Sequence, residues 1–380
     1  MALENDPPDL ADRLRIHLAT LHRPGLGRRL VEAFGGAAGV LARSAGELRG
    51  FPGMVPEVLR KLSDRSIASS AREEIRRASD SGVRLLAAGE SSYPPALREL
   101  PDMPLVLYLR GSLPEAPAVG IVGSRRPTRY ASVQARTFSA GLARRGFAIV
   151  SGLALGVDGE AHRACLDAGG RTVAVLGFGM DRIYPAEHRA LARRILESGD
   201  GALVGEFPFG APPLGFHFPM RNRILSGLSD AVLVVEAGAR SGSLVTARHA
   251  LEQGKAVYAV PGRISPEALG GLRLIADGAI PALSPEDVLP GAGRTPGAPG
   301  EGRDPRVEVP TGEGPGRLDG PYARALEDLF REEDLWTADA IADRLGAPPG
   351  RILAELSRLE LDGRIERLPG GAYALRGGVP

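Results

Sequence analysis

The run Phe216-His217-Phe218-Pro219-Met220-Arg221-Asn222-Arg223 sets two guanidinium groups and an amide beside two aromatic rings. Guanidinium groups grip phosphates in a bidentate fashion, and aromatic faces stack on bases, so this composition suits a single-stranded nucleic acid. Phe178 and Tyr184 fall in neighbouring loops and could add stacking surface. The competing role is structural, with the rings in the core and the arginines paired to Glu206 and Glu236. Four more motifs have small or basic residues where an anion could approach the backbone: Gly123-Ser124-Arg125, SGLALGVD at 151–158, Gly177-Phe178-Gly179 and Arg240-Ser241-Gly242-Ser243. Small residues there expose N–H groups to a phosphate, and arginine adds charge.

Enzyme motifs are not met. Gly177-Phe178-Gly179 continues as Met180-Asp181-Arg182, so no GxGxxG fingerprint forms, and Gly254-Lys255 lacks the upstream glycine of a P-loop. There is no GxSxG elbow and no histidine pair at metal-ligand spacing. Asp158 and His162, four apart, read as an ion pair on one helix face, and the single cysteine, Cys165, as a small buried residue. One cysteine also excludes an intramolecular disulfide framework. We therefore expect no catalytic residue, no metal and no cofactor.

The elements that must position these motifs alternate. Apolar strands are predicted at 119–122, 148–150, 172–176, 202–206, 231–235 and 256–260, with helical patterns such as SVQARTFSAGLARR and SLVTARHALEQG between them. Strands apolar on both faces and separated by helices specify an α/β fold, an extended Rossmann-like, doubly wound parallel sheet. Segments 83–87 and 105–109 extend it. All four small-residue motifs follow the carboxyl ends of predicted strands, where ligands bind in such sheets.

Residues 1–80 read as a small helical domain of helix-hairpin-helix or SAM-like type, with Leu21-His22-Arg23-Pro24-Gly25-Leu26-Gly27 as its clearest hairpin. Its second copy, Phe51-Pro52-Gly53-Met54-Val55, lacks the second glycine, which favours packing over DNA contact. The Rossmann-like domain spans 81–285. Residues 286–320 are rich in proline and glycine without apolar periodicity, as expected of a flexible linker. Residues 321–380 read as three helices and a β-wing, a winged-helix domain.

The whole chain carries a formal charge of only +1, but residues 117–285 sum to +6, while 286–320 and 321–380 sum to −3 each. An anionic partner therefore belongs to the central block. An acidic winged helix is a poor reader of duplex DNA and suits protein contacts better. No apolar run reaches the ~18 residues of a membrane helix, and the first residues lack the basic and apolar regions of a signal peptide. A cytoplasmic location is expected, with no membrane partner. All cations but Lys61 and Lys255 are arginines.

Together, IVGSR at 121–125, SGLALGVD with Ala161-His162, TVAVLGFGMDRIYP at 172–185, FPMRNRILSGLS at 218–229, VVEAGARSGSLVTA at 234–247 and AVPGRI at 259–264 resemble the DNA-processing protein A family, DprA or Smf. The resemblance implies a non-enzymatic, homodimeric protein that binds and protects incoming single-stranded DNA in natural transformation and loads the RecA recombinase on it. Other competence proteins would meet the winged helix. Carried over by motif, the DNA contacts are Gly123, Ser124 and Arg125 after the first strand, Ser151 and Gly152 after the second, and Phe178 after the third. Arg221, Asn222 and Arg223, then Arg240 and Ser241, complete the set. The family's basic position after its Tyr-Pro pair is missing from Ala186-Glu187-His188, with Arg182 or Arg189 as replacements, and its usual asparagine and serine are Leu272 and Gly205.

The rival from another class is a nucleotide phosphoribohydrolase on a similar sheet. Its PGGxGTxxE loop corresponds to Arg240–Thr246 here, with Thr246 where the acid–base glutamate belongs. A double-stranded DNA regulator acting through the winged helix is a third reading, which the acidic charge of that domain disfavours.

Overall fold

The computed structural model describes residues 10–288 and, toward the C-terminus, residues 336–348 with shorter pieces between 325 and 375. The expected linker lies, from residue 289 onward, outside the described residues. Contacts divide the chain into two compact units, Met1–Ala298 and Pro299–Pro380.

Within residues 10–80 the chain forms helices α1 (Leu10–Thr20), α2 (Leu26–Ala33), α3 (Ala37–Leu41), α4 (Ala45–Arg49), α5 (Pro56–Ser63) and α6 (Ser66–Asp80). The turn between α1 and α2 needs Gly25, whose φ of 80° disfavours other residues. A Cβ at Gly25 would stand 3.2 Å from the Pro101 carbonyl oxygen, and one at Gly27 2.9 Å from Leu105 Cδ1. The glycines of this hairpin are therefore a packing surface.

A nine-stranded sheet follows: β1 (Arg84–Ala87), β2 (Val106–Gly111), β3 (Ala118–Val122), β4 (Ala148–Ser151), β5 (Thr172–Leu176), β6 (Ala202–Gly205), β7 (Ala231–Val234), β8 (Ala256–Ala259) and β9 (Ile280–Pro281). Their order is β1-β2-β6-β5-β4-β3-β7-β8-β9. The run from β6 to β9 is parallel, as the doubly wound reading expects, and the two strands that extend the sheet at the other edge are antiparallel, β2 to both β6 and β1. Glu206 lies just past the end of β6, one residue beyond the predicted strand's true limit.

The period of two along each strand sorts its side chains between layers. Val119 and Ile121 face α8 (Arg129–Arg144), the helix after the short α7 (Pro95–Arg98), and α9 (Val157–Asp167), while Ala118 and Val122 face α11 (His217–Gly227) and α12 (Ser243–Glu252). Every residue of β3 is buried, as a strand covered on both faces requires. Ala174 and Leu176 of β5 share a third cluster with α10 (Arg189–Glu197) and the N-terminal helices, so the helical layer and the sheet have one continuous core. Polar ties reinforce it. Tyr108 Oη and the Phe209 N–H donate to the buried Glu74 carboxylate at 2.9 and 3.1 Å, and His17 Nε2 lies 2.8 Å from the Glu206 carbonyl oxygen.

In the second unit, β10 (Trp336–Thr337), helix 338–345, β11 (Ile365–Arg367) and β12 (Ala372–Leu375) form a small antiparallel sheet with strand order β10-β12-β11. Leu326, Ile341, Leu356, Ile365 and Tyr373 contribute to its own core. Strands β11 and β12 are the expected wing; Gly370-Gly371 at its tip lies outside the described residues.

Candidate nucleic-acid interface

From β3 the chain winds outward through β4, β5 and β6; from β7 it winds the other way. The loops after β3 and β7 therefore part company at the carboxyl edge of the sheet, and a crevice opens at this switch point. It holds a cleft of about 650 Å³. Gly123, Ser124 and Arg125 line it after β3, Ala154 and Asp158 after β4, and Gly238, Arg240 and Ser241 after β7. Phe218, Arg221 and Asn222 of α11 and Ser243 and Thr246 of α12 complete most of the wall.

Local sequence explains each wall. Gly123 is required because a Cβ would stand 2.7 Å from Val157 Cγ2 and 3.1 Å from the Glu236 carbonyl oxygen. Glu236 ties the two parting loops together: its carboxylate accepts the Thr128 N–H at 3.1 Å and the Thr128 hydroxyl at 2.6 Å, while Thr128 caps α8. No arginine pairs with it among the described residues. After β4, Asp158 accepts the N–H groups of Gly152 and Ala154 at 3.1 and 3.3 Å. This holds Leu153 at a φ of 56°, a left-handed conformation that a branched side chain adopts only under constraint. Asp158 is thus a loop brace and not the helix-face partner of His162, whose Nδ1 instead lies 2.7 Å from Thr172 Oγ1. Burial raises the Asp158 carboxyl above its ordinary range, against the pull of Arg221.

Arg221 sits at the floor. It is 3% exposed, its Nη2 donates to the Gly152 carbonyl at 3.1 Å, and its buried Nε has no partner. Among the described residues it forms no ion pair. Burial depresses it to about 10, Asp158 opposes that, and Arg125 adds to it. This is a buried cation with spare hydrogen-bonding capacity, open to the cleft. At the rim, the exposed Arg125 guanidinium stands 5.0 Å from the Phe218 ring centroid, a cation–π contact. Phe218 tilts against Tyr184 at 6.2 Å, and Tyr184 meets Phe178 edge-on at 6.3 Å. Arg240 is exposed on the opposite lip, beside the Ser241 hydroxyl, which bonds Ser243 Oγ at 2.7 Å.

Seven of the eleven sequence-predicted contacts therefore converge on one cleft: Gly123, Ser124, Arg125, Arg221, Asn222, Arg240 and Ser241. The other four do not line it. Ser151 is buried and donates to the Ile121 carbonyl at 2.7 Å, stitching β4 to β3. Gly152 lies beneath Arg221, and Phe178, 1% exposed, supports Tyr184 from below. Arg223 points to the far side of α11, where both Nη atoms donate to Glu206 at 2.7 Å and Nε reaches Asp102 Oδ2 at 3.0 Å. Its role is the structural one. The same helix is closed at its C-terminal end by Lys255, whose ammonium donates to the Ser226, Gly227 and Ser229 carbonyls at 2.7, 2.7 and 2.6 Å. Asp158 and Ser243, which belong to motifs the sequence singled out, and Thr246 also line the wall although none was among the carried-over contacts; their position at the starts of α9 and α12 was the available signal.

Residues 84–292 match the DNA recombination-mediator protein A family, and residues 310–371 match the DprA winged helix domain. The chain belongs to the DNA recombination-mediator protein A family. Protein Smf of Escherichia coli K12 is 42% identical over 301 residues, covering 77% of each chain. DNA processing protein DprA of Bacillus subtilis 168 is 41% identical over 214 residues, 55% of this chain and 71% of that one. The X-ray structure of DNA processing protein A from Streptococcus pneumoniae superposes with a TM-score of 0.57 at 30% identity, covering 72% of this chain and 94% of that chain. In this member of the DNA recombination-mediator protein A family, the sheet and its cleft fall inside the first match, and the helices of residues 10–80 precede it. Among the described residues no helix is long and apolar enough to cross a membrane, and no cluster of three or more His, Cys, Asp or Glu could hold a metal.

Proposed function

We propose that the chain is a cytoplasmic, non-enzymatic protein of natural transformation and recombination that binds single-stranded DNA in the cleft at the sheet's switch point. The observation that carries this reading is Arg221, a buried cation that makes no ion-pair contact among the described residues and whose Nε is unsatisfied, beneath an exposed guanidinium stacked on an aromatic ring. Phosphates need the first and bases the second. Gly123, Ser124, Arg125, Arg221, Asn222, Arg240 and Ser241 make the contacts, while Ser151, Gly152, Phe178 and Arg223 shape the cleft from behind. Family membership supports the further roles of protecting the incoming strand, acting as a homodimer and loading the RecA recombinase. It also supports a division into a helical region 1–80, the cleft-bearing region 81–285, a linker 286–320 and a winged helix 321–380 that meets other competence proteins.

The phosphoribohydrolase reading lacks its carboxylate: Thr246 occupies that place in the cleft wall, and the nearby Asp158 is engaged by two N–H groups. A gel shift with single- and double-stranded DNA of one sequence tests the proposal, run with the full chain and with residues 1–285. Both proteins should prefer the single strand. Equal affinity for duplex, loss of binding in the shorter chain, or release of free base from nucleoside monophosphates would each refute a named part of it.

A further inference from the structure

The turn at residues 21–25 has the sequence of a DNA-contacting hairpin, yet its glycines face the 101–105 segment. Its outward side chain reaches the cleft rim instead. The His22 ring meets Phe216 edge-on, with centroids 5.6 Å apart and planes at 71°, and stacks on His217 at 5.6 Å and 12°. His217 stacks in turn on the fully buried Phe207 at 4.1 Å. Phe216 is thereby fixed on a rigid base, but it remains 54% exposed. It stands between Gly215, which lines the cleft, and the helix that carries Arg221 and Asn222. Core packing does not account for an aromatic ring held half in water at that place.

Resting on the reading that the cleft holds a single strand, we propose that Phe216 and His22 form a stacking platform for bases just outside it. The strand runs from Arg125 and Phe218 past Gly215 onto the N-terminal helical layer, where the exposed Arg23 adjoins the platform. The occupant is nucleic acid because the rings continue an aromatic and cationic track, and base stacking on such rings tolerates any sequence. Burial, then the Lys61 ammonium, hold His22 below the ordinary imidazole range against Glu57 and Glu206. His217 is lowered likewise by burial and by His22. Burial thus favours the neutral form of both rings.

The test uses the full chain and oligothymidylates of ~5 and ~20 nucleotides, spanning the ~4–16-nucleotide site sizes of comparable binders. Phe216→Ala should weaken the longer strand about fivefold, the low end of one stacked base, and leave the shorter within about twofold. His22→Ala should act in the same direction, and Phe216→Trp should restore affinity; melting temperatures should match the parent. If Phe216→Ala changes neither length while Arg125→Ala weakens both, the platform is refuted and the cleft reading stands. If neither variant changes binding, both readings fall. Equal loss on the two lengths also overturns the platform, because the ring would then act within the cleft.

Discussion

Arg221 lies across Gly152, donating from Nη2 to its carbonyl, and a Cβ on that glycine would collide with the guanidinium. The missing side chain at 152 is what lets the buried cation reach the cleft floor. Gly152→Ala should displace the far end of Arg221 and weaken single-strand binding about tenfold, the scale of one charge-assisted hydrogen bond. Binding measured on protein shown to be folded by circular dichroism checks this; unchanged affinity would remove Arg221 from the contact set.

Arg125 is exposed and rests on Phe218. Arg125→Ala should weaken binding to all single-stranded sequences about equally, because phosphate contacts carry no base information. The log K against log salt slope should shrink by up to ~0.7, the value per phosphate neutralised on a single strand. An exposed cation–π contact is worth only ~0.5–1 kcal/mol, so the melting temperature should barely move. A drop in thermal stability with an unaltered salt slope would assign Arg125 to the fold alone.

Arg223→Met should behave in the opposite way. It leaves the Glu206 carboxylate, 2% exposed, without its bidentate partner. Breaking such a buried pair costs ~3–5 kcal/mol, and removing the second charge as well should return much of it. Urea unfolding of R223M and of the double variant R223M/E206Q measures both effects. Folded R223M should bind DNA as the parent does.

Acid should destabilise the protein through His162. Its ring is fully buried, and burial, then His188, Arg221 and Arg163, depress it from 6.5 to about 3. The unfolded chain therefore binds this proton more readily than the folded one. The stability is complete above pH 6.5 and is lost as pH falls toward 3, at up to ~1.4 kcal/mol per unit. His162→Asn should be less stable near neutrality yet decline less steeply with acid; parallel stability curves for the two proteins would discount the residue.

The strand ends and the motifs that follow them were legible because period, burial and small residues all point to one edge of the sheet. Arg223 shows where such reading stops. In the Arg221-Asn222-Arg223 run the two guanidinium groups look alike, but on a helix residues two apart point about 200° apart, so only one can enter the cleft. The segment's proline and aromatic residues hid the helix that imposes this. Asp158 was misassigned because i,i+4 spacing suggested His162, whereas its carboxylate accepts from the loop's own N–H groups. The antiparallel strand β2 gives no sign of its direction, since an apolar strand reads the same either way.

Helix α11 is secured on the side away from the cleft by Arg223 and at its end by Lys255. A strand entering the cleft thus finds one cation already immobilised and others that it must immobilise itself. Arg221 gave up its rotamer freedom when the chain folded, so binding demands little more from it. Arg125 and Arg240, exposed at the lips, each stand to lose up to ~2 kcal/mol of conformational entropy, and in exchange they can follow a backbone of varying path. For the strand binding proposed above, long residence should come from the cleft's floor and indifference to base sequence from its rim.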